Sequence, residues 1–193
     1  VSIATTAEII YSQEIVMSRL TSVQPVHATG KTAELFTAIN RAMGKVPNAY
    51  QTIGNAPDVL GQALQHNAML AKSSLSRKQL EAINLAVSEA SGCDYCLAAH
   101  SLMGKMAGFT PEQMRQLRQG DYPDDAQLDA LVKFVQTLVT THGTLPEEAV
   151  NDFREAGFDD VQVVETISAV SAILFTNMIN RVNDTVVDFP AVS

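Results

Sequence analysis

The chain has 193 residues, 46% hydrophobic and 18% charged, enough to bury a core in one large domain or two small ones. A formal net charge of -8 argues against a nucleic-acid partner, whose phosphates would be repelled, and two cysteines in the whole chain do not make a secreted disulfide framework. No apolar run reaches the roughly 18–20 residues of a membrane span, and the first residues lack the basic-then-apolar pattern of a secretion signal. Together these features lead us to expect a cytoplasmic protein, away from membranes, whose cysteine pair rests reduced.

Residues 1–30 read as an N-terminal extension or arm, and 31–193 as a helical domain. Residues 1–16 contain no Lys or Arg and little periodicity, and Met17 reads like a natural start. From Lys31, Leu35, Ile39, Ala42 and Met43 repeat at helical spacing until Gly44 stops them. Lys45 to Tyr50 reads as a connector, since Pro47 disfavours helix at Val46. Pro57 opens a helix with an apolar stripe through Val59, Leu60, Ala63, Leu64 and Met69. Ser76 and Gln79 have the capping-box spacing and start a helix running to about Ala90. That helix is apolar nearly all round, so the acid Glu81 within it calls for a reason.

Further helices follow Thr110-Pro111, run from Asp124 to Thr141, and open at Thr144-Leu145-Pro146-Glu147. The longest, from Asp159 to about Val182, carries Val163, Val164, Ile167, Val170, Ile173, Leu174, Met178 and Ile179. With no alternating strand pattern after residue 30, the expected fold class is all-α. The scattered methionines (Met43, Met69, Met103, Met106, Met114, Met178) read as core filler. Asp121, Asp124 and Asp125 read as a solvated turn rather than a calcium loop.

Both cysteines lie in Ser91-Gly92-Cys93-Asp94-Tyr95-Cys96-Leu97-Ala98-Ala99-His100. A Cys-x-x-Cys pair is a redox dithiol, half a metal site or a chance pair of apolar thiols. Gly92 breaks the preceding run, which places the pair at the first turn of a new helix, where the helix dipole favours thiolate. At about 100° per residue, Cys93, Cys96 and His100 fall within roughly a 60° sector of one face. A base on that face can accept and return a proton, which is the chemistry of a thiol–disulfide or peroxide-reducing site. A zinc site needs a fourth ligand, and His27, His66 and His142 have no telling spacing. The absence of a βαβ pattern argues against the thioredoxin version of the motif.

These residues resemble the carboxymuconolactone decarboxylase-like family, specifically its alkyl hydroperoxidase D branch. The family motif of Glu, eleven residues, Cys-x-x-Cys, three residues and His is met by Glu81, Cys93, Cys96 and His100. Gly44-Lys45-Val46-Pro47-Asn48, Phe175-Thr176-Asn177 and Asp188-Phe189-Pro190 also resemble family segments, so the likeness covers roughly Met17 to Phe189. It implies an AhpD-like helical bundle, oligomeric as dimer, trimer or hexamer, that reduces peroxides. In that pattern Cys96 attacks the peroxide, Cys93 condenses with it to a disulfide, and Glu81 and His100 relay the proton. Studied hydroperoxidases of the branch carry His where this chain has Tyr95. Tyrosine is the weaker base, although it can orient a water or a thiol as a donor.

The expected function is thus a thiol-dependent peroxide reductase recharged by a dithiol, dihydrolipoamide-like or on a carrier protein. Sulfur attack on a peroxide needs no metal or other cofactor, so none is expected. The alternatives are a redox-sensing helical oligomer and a lyase or decarboxylase of the wider family. A homo-oligomer is expected on physical grounds too, because the long last helix and the uncharged 82–88 stretch present more apolar surface than a lone chain of six or seven helices would cover.

Overall fold

The computed structural model describes residues 18–191. Among them lie a short 3-10 turn, Pro25–His27, and nine α-helices. The helices are α1 (Gly30–Met43), α2 (Asn48–Ile53), α3 (Pro57–Leu70), α4 (Arg77–Ala90), α5 (Asp94–Met106), α6 (Pro111–Gln119), α7 (Ala126–Thr140), α8 (Glu147–Glu155) and α9 (Asp160–Asn183). No strand occurs among the described residues, so the fold is all-α as the sequence pattern predicts. The sequence signals for helix starts act as expected. Ser76 with Gln79, Thr110 with Gln113 and Asp159 with Gln162 form complete capping boxes at α4, α6 and α9.

α4 is the axis of the bundle. It packs against α5, α6, α7 and α9, and Ala82, Ile83, Leu85, Ala86, Val87 and Ser88 are fully buried. Burying a side chain such as Ile83 or Leu85 contributes about 1.5–3 kcal/mol relative to leaving it exposed. The uncharged 82–88 stretch therefore needs no second subunit to cover it, contrary to the expectation from sequence. Phe134, Phe153 and Phe158 stack beside it at ring-centroid distances of 4.2 and 4.1 Å, fixing α8 on α7. A smaller cluster of Phe36, Ile39, Val46, Ile53 and Leu60 joins α1, α2 and α3.

Other expectations are revised. The Lys45–Tyr50 connector ends early, because Pro47 serves as the N-cap position of α2, which begins at Asn48. Of the methionines expected in the core only Met114 is buried; Met43, Met69, Met106 and Met178 are exposed. Asp125 is the N-cap of α7, accepting from the Gln127 and Leu128 N–H groups, while the neighbouring Tyr122 is buried. The described residues before 30 are tied to the helical body. Arg19 N–H donates to Asn183 O, Leu20 N–H to Asn183 Oδ1, and Val23 N–H to Gln51 O. The rest of the extension or arm expected over residues 1–30, residues 1–17, lies outside the described residues.

α9 spans 24 residues and, by length and composition, is apolar enough to cross a membrane, although polar residues interrupt its apolar run. One face, including Ala169, Val170, Ile173, Asn177, Asn180 and Asn183, is buried in the bundle. Val161, Val164, Ile167, Met178 and Val182 are exposed.

Candidate active site

The turn between α4 and α5 sets the dithiol. Gly92 takes φ +61, a conformation that costs a side-chain-bearing residue more than glycine, and so reverses the chain at the end of α4. Cys93 N–H then donates to Ser88 O at 3.0 Å, and Cys93 becomes the N-cap of α5. Its Sγ accepts the Cys96 N–H at 3.4 Å. The two sulfurs are free thiols 2.8 Å apart, with Cys93 1% and Cys96 3% exposed.

The environment separates the two sulfurs. The hydrogen bond shared with Cys96 holds Cys93 down from its usual thiol range to about 7. Burial opposes this shift, while the Cys96 backbone N–H and Asn177 assist it. Cys96 is pushed up by the same hydrogen bond, by burial and by the charge on Cys93, and is held down in part by Asn180 and Asn177. These contacts favour ionisation of Cys93 over Cys96, in the same direction as the helix N-terminus. The family pattern instead assigns first attack to Cys96.

Glu81 on α4 and His100 on α5 meet at 2.9 Å, Oε2 to Nδ1, with both side chains largely buried. They line a cavity of about 490 Å³ with apolar walls from Leu70, Leu80, Met103 and Ile173, and with Tyr50 and Asn84 as further polar groups. Cys93 lines a different cavity, of about 410 Å³, formed with Asp94, Asn180, Arg181 and the C-terminal residues 184–187. The structure therefore brings together Cys93 with Cys96 and Glu81 with His100, but the two pairs line different cavities. Cys96 lies one turn before His100 on that helix, which keeps the pairs neighbours.

Tyr95 does not join either pair. Its hydroxyl accepts the Ala49 N–H at 3.1 Å and donates to Asp188 Oδ1 at 2.8 Å, so its one proton is committed away from the sulfurs. This replaces the expectation that Tyr95 orients a water or a thiol. Its ring meets Phe189 edge-on at 5.6 Å, and Lys45 pairs with Asp188 at 2.8 Å while lying over the Phe189 ring. Tyr95 thereby fastens the C-terminal segment beside the Cys93 cavity. His66 bridges α3 to α9 through Ser168 Oγ at 2.8 Å, and His142 follows Thr141, the C-cap of α7. Among the described residues no cluster of three His, Cys, Asp or Glu is arranged to hold a metal ion.

Residues that the sequence reading passed over complete the dithiol environment. Asn180 Nδ2 donates to Cys96 Sγ at 3.3 Å, and Asn177 Nδ2 donates to the buried Ser88 Oγ at 3.2 Å. A signal for them existed: Asn177, Asn180 and Asn183 recur at three-residue spacing within a long apolar helix, an unusual load of polar groups for one buried face.

Residues 57–136, from the start of α3 into α7 and including Glu81, Cys93, Cys96 and His100, match the model of the carboxymuconolactone decarboxylase family. No curated protein gives a significant sequence match. Among solved structures the chain is similar to the alkylhydroperoxidase AhpD core of an uncharacterized peroxidase-related protein from Ralstonia eutropha JMP134. That match has a TM-score of 0.79 and 19% identity, covering 89% of this chain and 93% of that one. The debrominase Bmp8 in complex with 2,3,4-tribromopyrrole aligns with a TM-score of 0.76 at 17% identity over 89% and 92% of the two chains. A peroxidase-related protein from Silicibacter sp. TM1040 aligns with a TM-score of 0.74 at 20% identity over 88% and 93%. Residues 57–136 thus match the carboxymuconolactone decarboxylase family model, and the nine helices among the described residues adopt the AhpD-like fold.

Proposed function

We propose that the chain is a thiol-dependent oxidoreductase that reduces peroxides through Cys93 and Cys96. The observation that carries this reading is the 2.8 Å approach of two free thiols at a helix N-terminus, with Cys93 held as a thiolate near neutral pH. Cys93 lines a cavity, so its sulfur attacks the peroxide: Cys93–S⁻ and R–O–OH give Cys93–S–OH and RO⁻, which takes a proton to become the alcohol. Cys96 then attacks the sulfenic sulfur, forming the disulfide and releasing water. This order reverses the roles that the resemblance implied, and the ionisation of the pair supports the reversal.

Glu81 and His100 share a hydrogen bond one helical turn from Cys96, and we assign them proton delivery to the departing oxygen through a water. A dithiol donor, dihydrolipoamide-like or on a carrier protein, returns the two electrons by attacking the disulfide at Cys93. The test is peroxide consumption with dihydrolipoamide by wild type, Cys93→Ser and Cys96→Ser. Turnover is expected in wild type alone, and equal rates in all three would sink the proposal.

The structural likeness to a debrominase favours one further reading. A thiolate can attack bromine as it attacks oxygen: Cys93–S⁻, Ar–Br and a proton give Cys93–S–Br and Ar–H, and Cys96 then closes the disulfide with loss of bromide. Bromide release from a brominated pyrrole, in place of peroxide consumption, would select it. The row Val161, Val164, Ile167, Met178 and Val182 on α9 supports assembly of the chain as a homo-oligomer.

A further inference from the structure

The dithiol sits against α9, where Asn177 and Asn180 are 1% and 4% exposed. Asn180 Nδ2 donates to Cys96 Sγ, and Asn177 lies near enough to both sulfurs to favour their charged forms. The amide oxygens are the unusual feature. Asn177 Oδ1 and Asn180 Oδ1 are both buried without any hydrogen-bond partner among the described residues. An orphaned buried acceptor is costly, and two side by side at a reactive centre point to a donor that arrives during the reaction. The reduced dithiol brings no O–H group, whereas a cysteine sulfenic acid does.

We propose that Asn180, backed by Asn177, is a catalytic hydrogen-bonding pair for the second half-reaction, in which the Cys96 thiolate attacks the oxidised sulfur of Cys93. The inference rests on the dithiol reading above. While Cys93 is a thiolate, Cys96 keeps its proton, because two adjacent buried sulfurs do not both ionise. Oxidation of Cys93 to Cys93–S–OH removes that charge. The Asn180 N–H then stabilises the Cys96 thiolate, and an Asn177 or Asn180 oxygen accepts the sulfenic O–H and orients it. The S–S bond forms as the S–O bond breaks: Cys96–S⁻, Cys93–S–OH and a proton give the disulfide and water. The sulfenic sulfur is reduced and the thiolate sulfur oxidised. The same donor serves closure onto any leaving group on Cys93.

That generality allows a test independent of peroxide. With the aromatic disulfide dithiobis(nitrobenzoate), Cys93 releases one coloured thiolate on attack, and Cys96 releases the second when it closes the ring. Wild type is expected to release both in two phases. In Asn180→Leu, close in size but without a donor, the rate of the second phase relative to the first should fall about tenfold, the effect expected for a lost hydrogen bond to a charged group. Asn180→Asp, which keeps the side-chain shape and replaces the donor by a negative charge, should lower the ratio at least as far, so the test does not depend on whether the Leu variant folds. A dimedone trap after peroxide treatment should find the Cys93 sulfenic acid longer-lived in both variants. An unchanged ratio, or equal slowing of both phases, would overturn the assignment. Two-phase release by a wild-type protein that consumes no peroxide would instead overturn the peroxidase reading alone.

Discussion

Replacing Tyr95 by Phe tests how the C-terminal segment is held over the dithiol. The ring and its edge contact with Phe189 remain, so the change isolates the hydroxyl. Two bonds are lost. The buried Ala49 N–H loses its acceptor, which costs about 1–3 kcal/mol. Asp188 loses a donor but keeps Lys45 and partial solvent access, so that loss is about 1 kcal/mol. The sum is about 3 kcal/mol, or a fall in Tm of about 6–12 °C for a domain of this size. Thermal unfolding followed by circular dichroism measures it.

Burial, with Asp188 adding to it and the Ala49 N–H opposing, raises the Tyr95 hydroxyl above its ordinary value. The folded state therefore favours the neutral phenol. This stabilisation is complete below pH about 10 and is lost as pH rises beyond it. Wild type should lose stability above that pH more steeply than Tyr95→Phe, while Tyr50 and Tyr122, also raised, leave the variant some alkaline loss. A loss below about 0.5 kcal/mol at neutral pH, or strict additivity of Tyr95→Phe with Asp188→Asn, would refute the reasoning.

Four further outcomes are expected. Alkylation of the reduced protein by iodoacetamide should follow a titration centred at about 7, vanish in Cys93→Ser and move to higher pH in Cys96→Ala. Because Cys93 is depressed on folding, its contribution to stability is present above the usual thiol range and is lost as pH falls through about 7. Leu85→Ala, at a fully buried position of α4, should cost about 2–5 kcal/mol in urea unfolding; a cost under about 1 kcal/mol would contradict the central place of that helix. Light scattering should give a multiple of the 20.8 kDa chain mass, reduced in the double variant Met178→Asp, Val182→Asp. A wild-type particle at the mass of one chain would contradict the proposed assembly.

Much of the fold was legible because its signals are local. Ser76, Thr110 and Asp159 with their partners three residues on start helices wherever they occur, and Gly44 and Gly120 end them in the left-handed conformation. The spacing of Glu81, Cys93, Cys96 and His100 likewise identified the candidate site, since α4, the Gly92 turn and α5 are consecutive. What escaped depends on distant segments. Tyr95 was read as a donor at the site because Asp188, its partner, lies 93 residues away. The opening of the dithiol and the Glu81–His100 pair on different cavities is set by where α9 and residues 184–187 cross α5, which no local spacing encodes. The apolar girth of α4 was assigned to a partner because enclosure by four helices of the same chain is a tertiary fact.

Under the proposed function, one peroxide is reduced at the expense of one Cys93–Cys96 dithiol. Fully reduced protein, treated with less than one equivalent of an organic hydroperoxide and then alkylated and digested for mass spectrometry, measures this directly. One Cys93–Cys96 disulfide is expected for each hydroperoxide converted to alcohol, with the sulfenic acid trapped on Cys93 when Cys96 is replaced by Ser. Hydroperoxide left intact beside reduced, alkylatable thiols would contradict it.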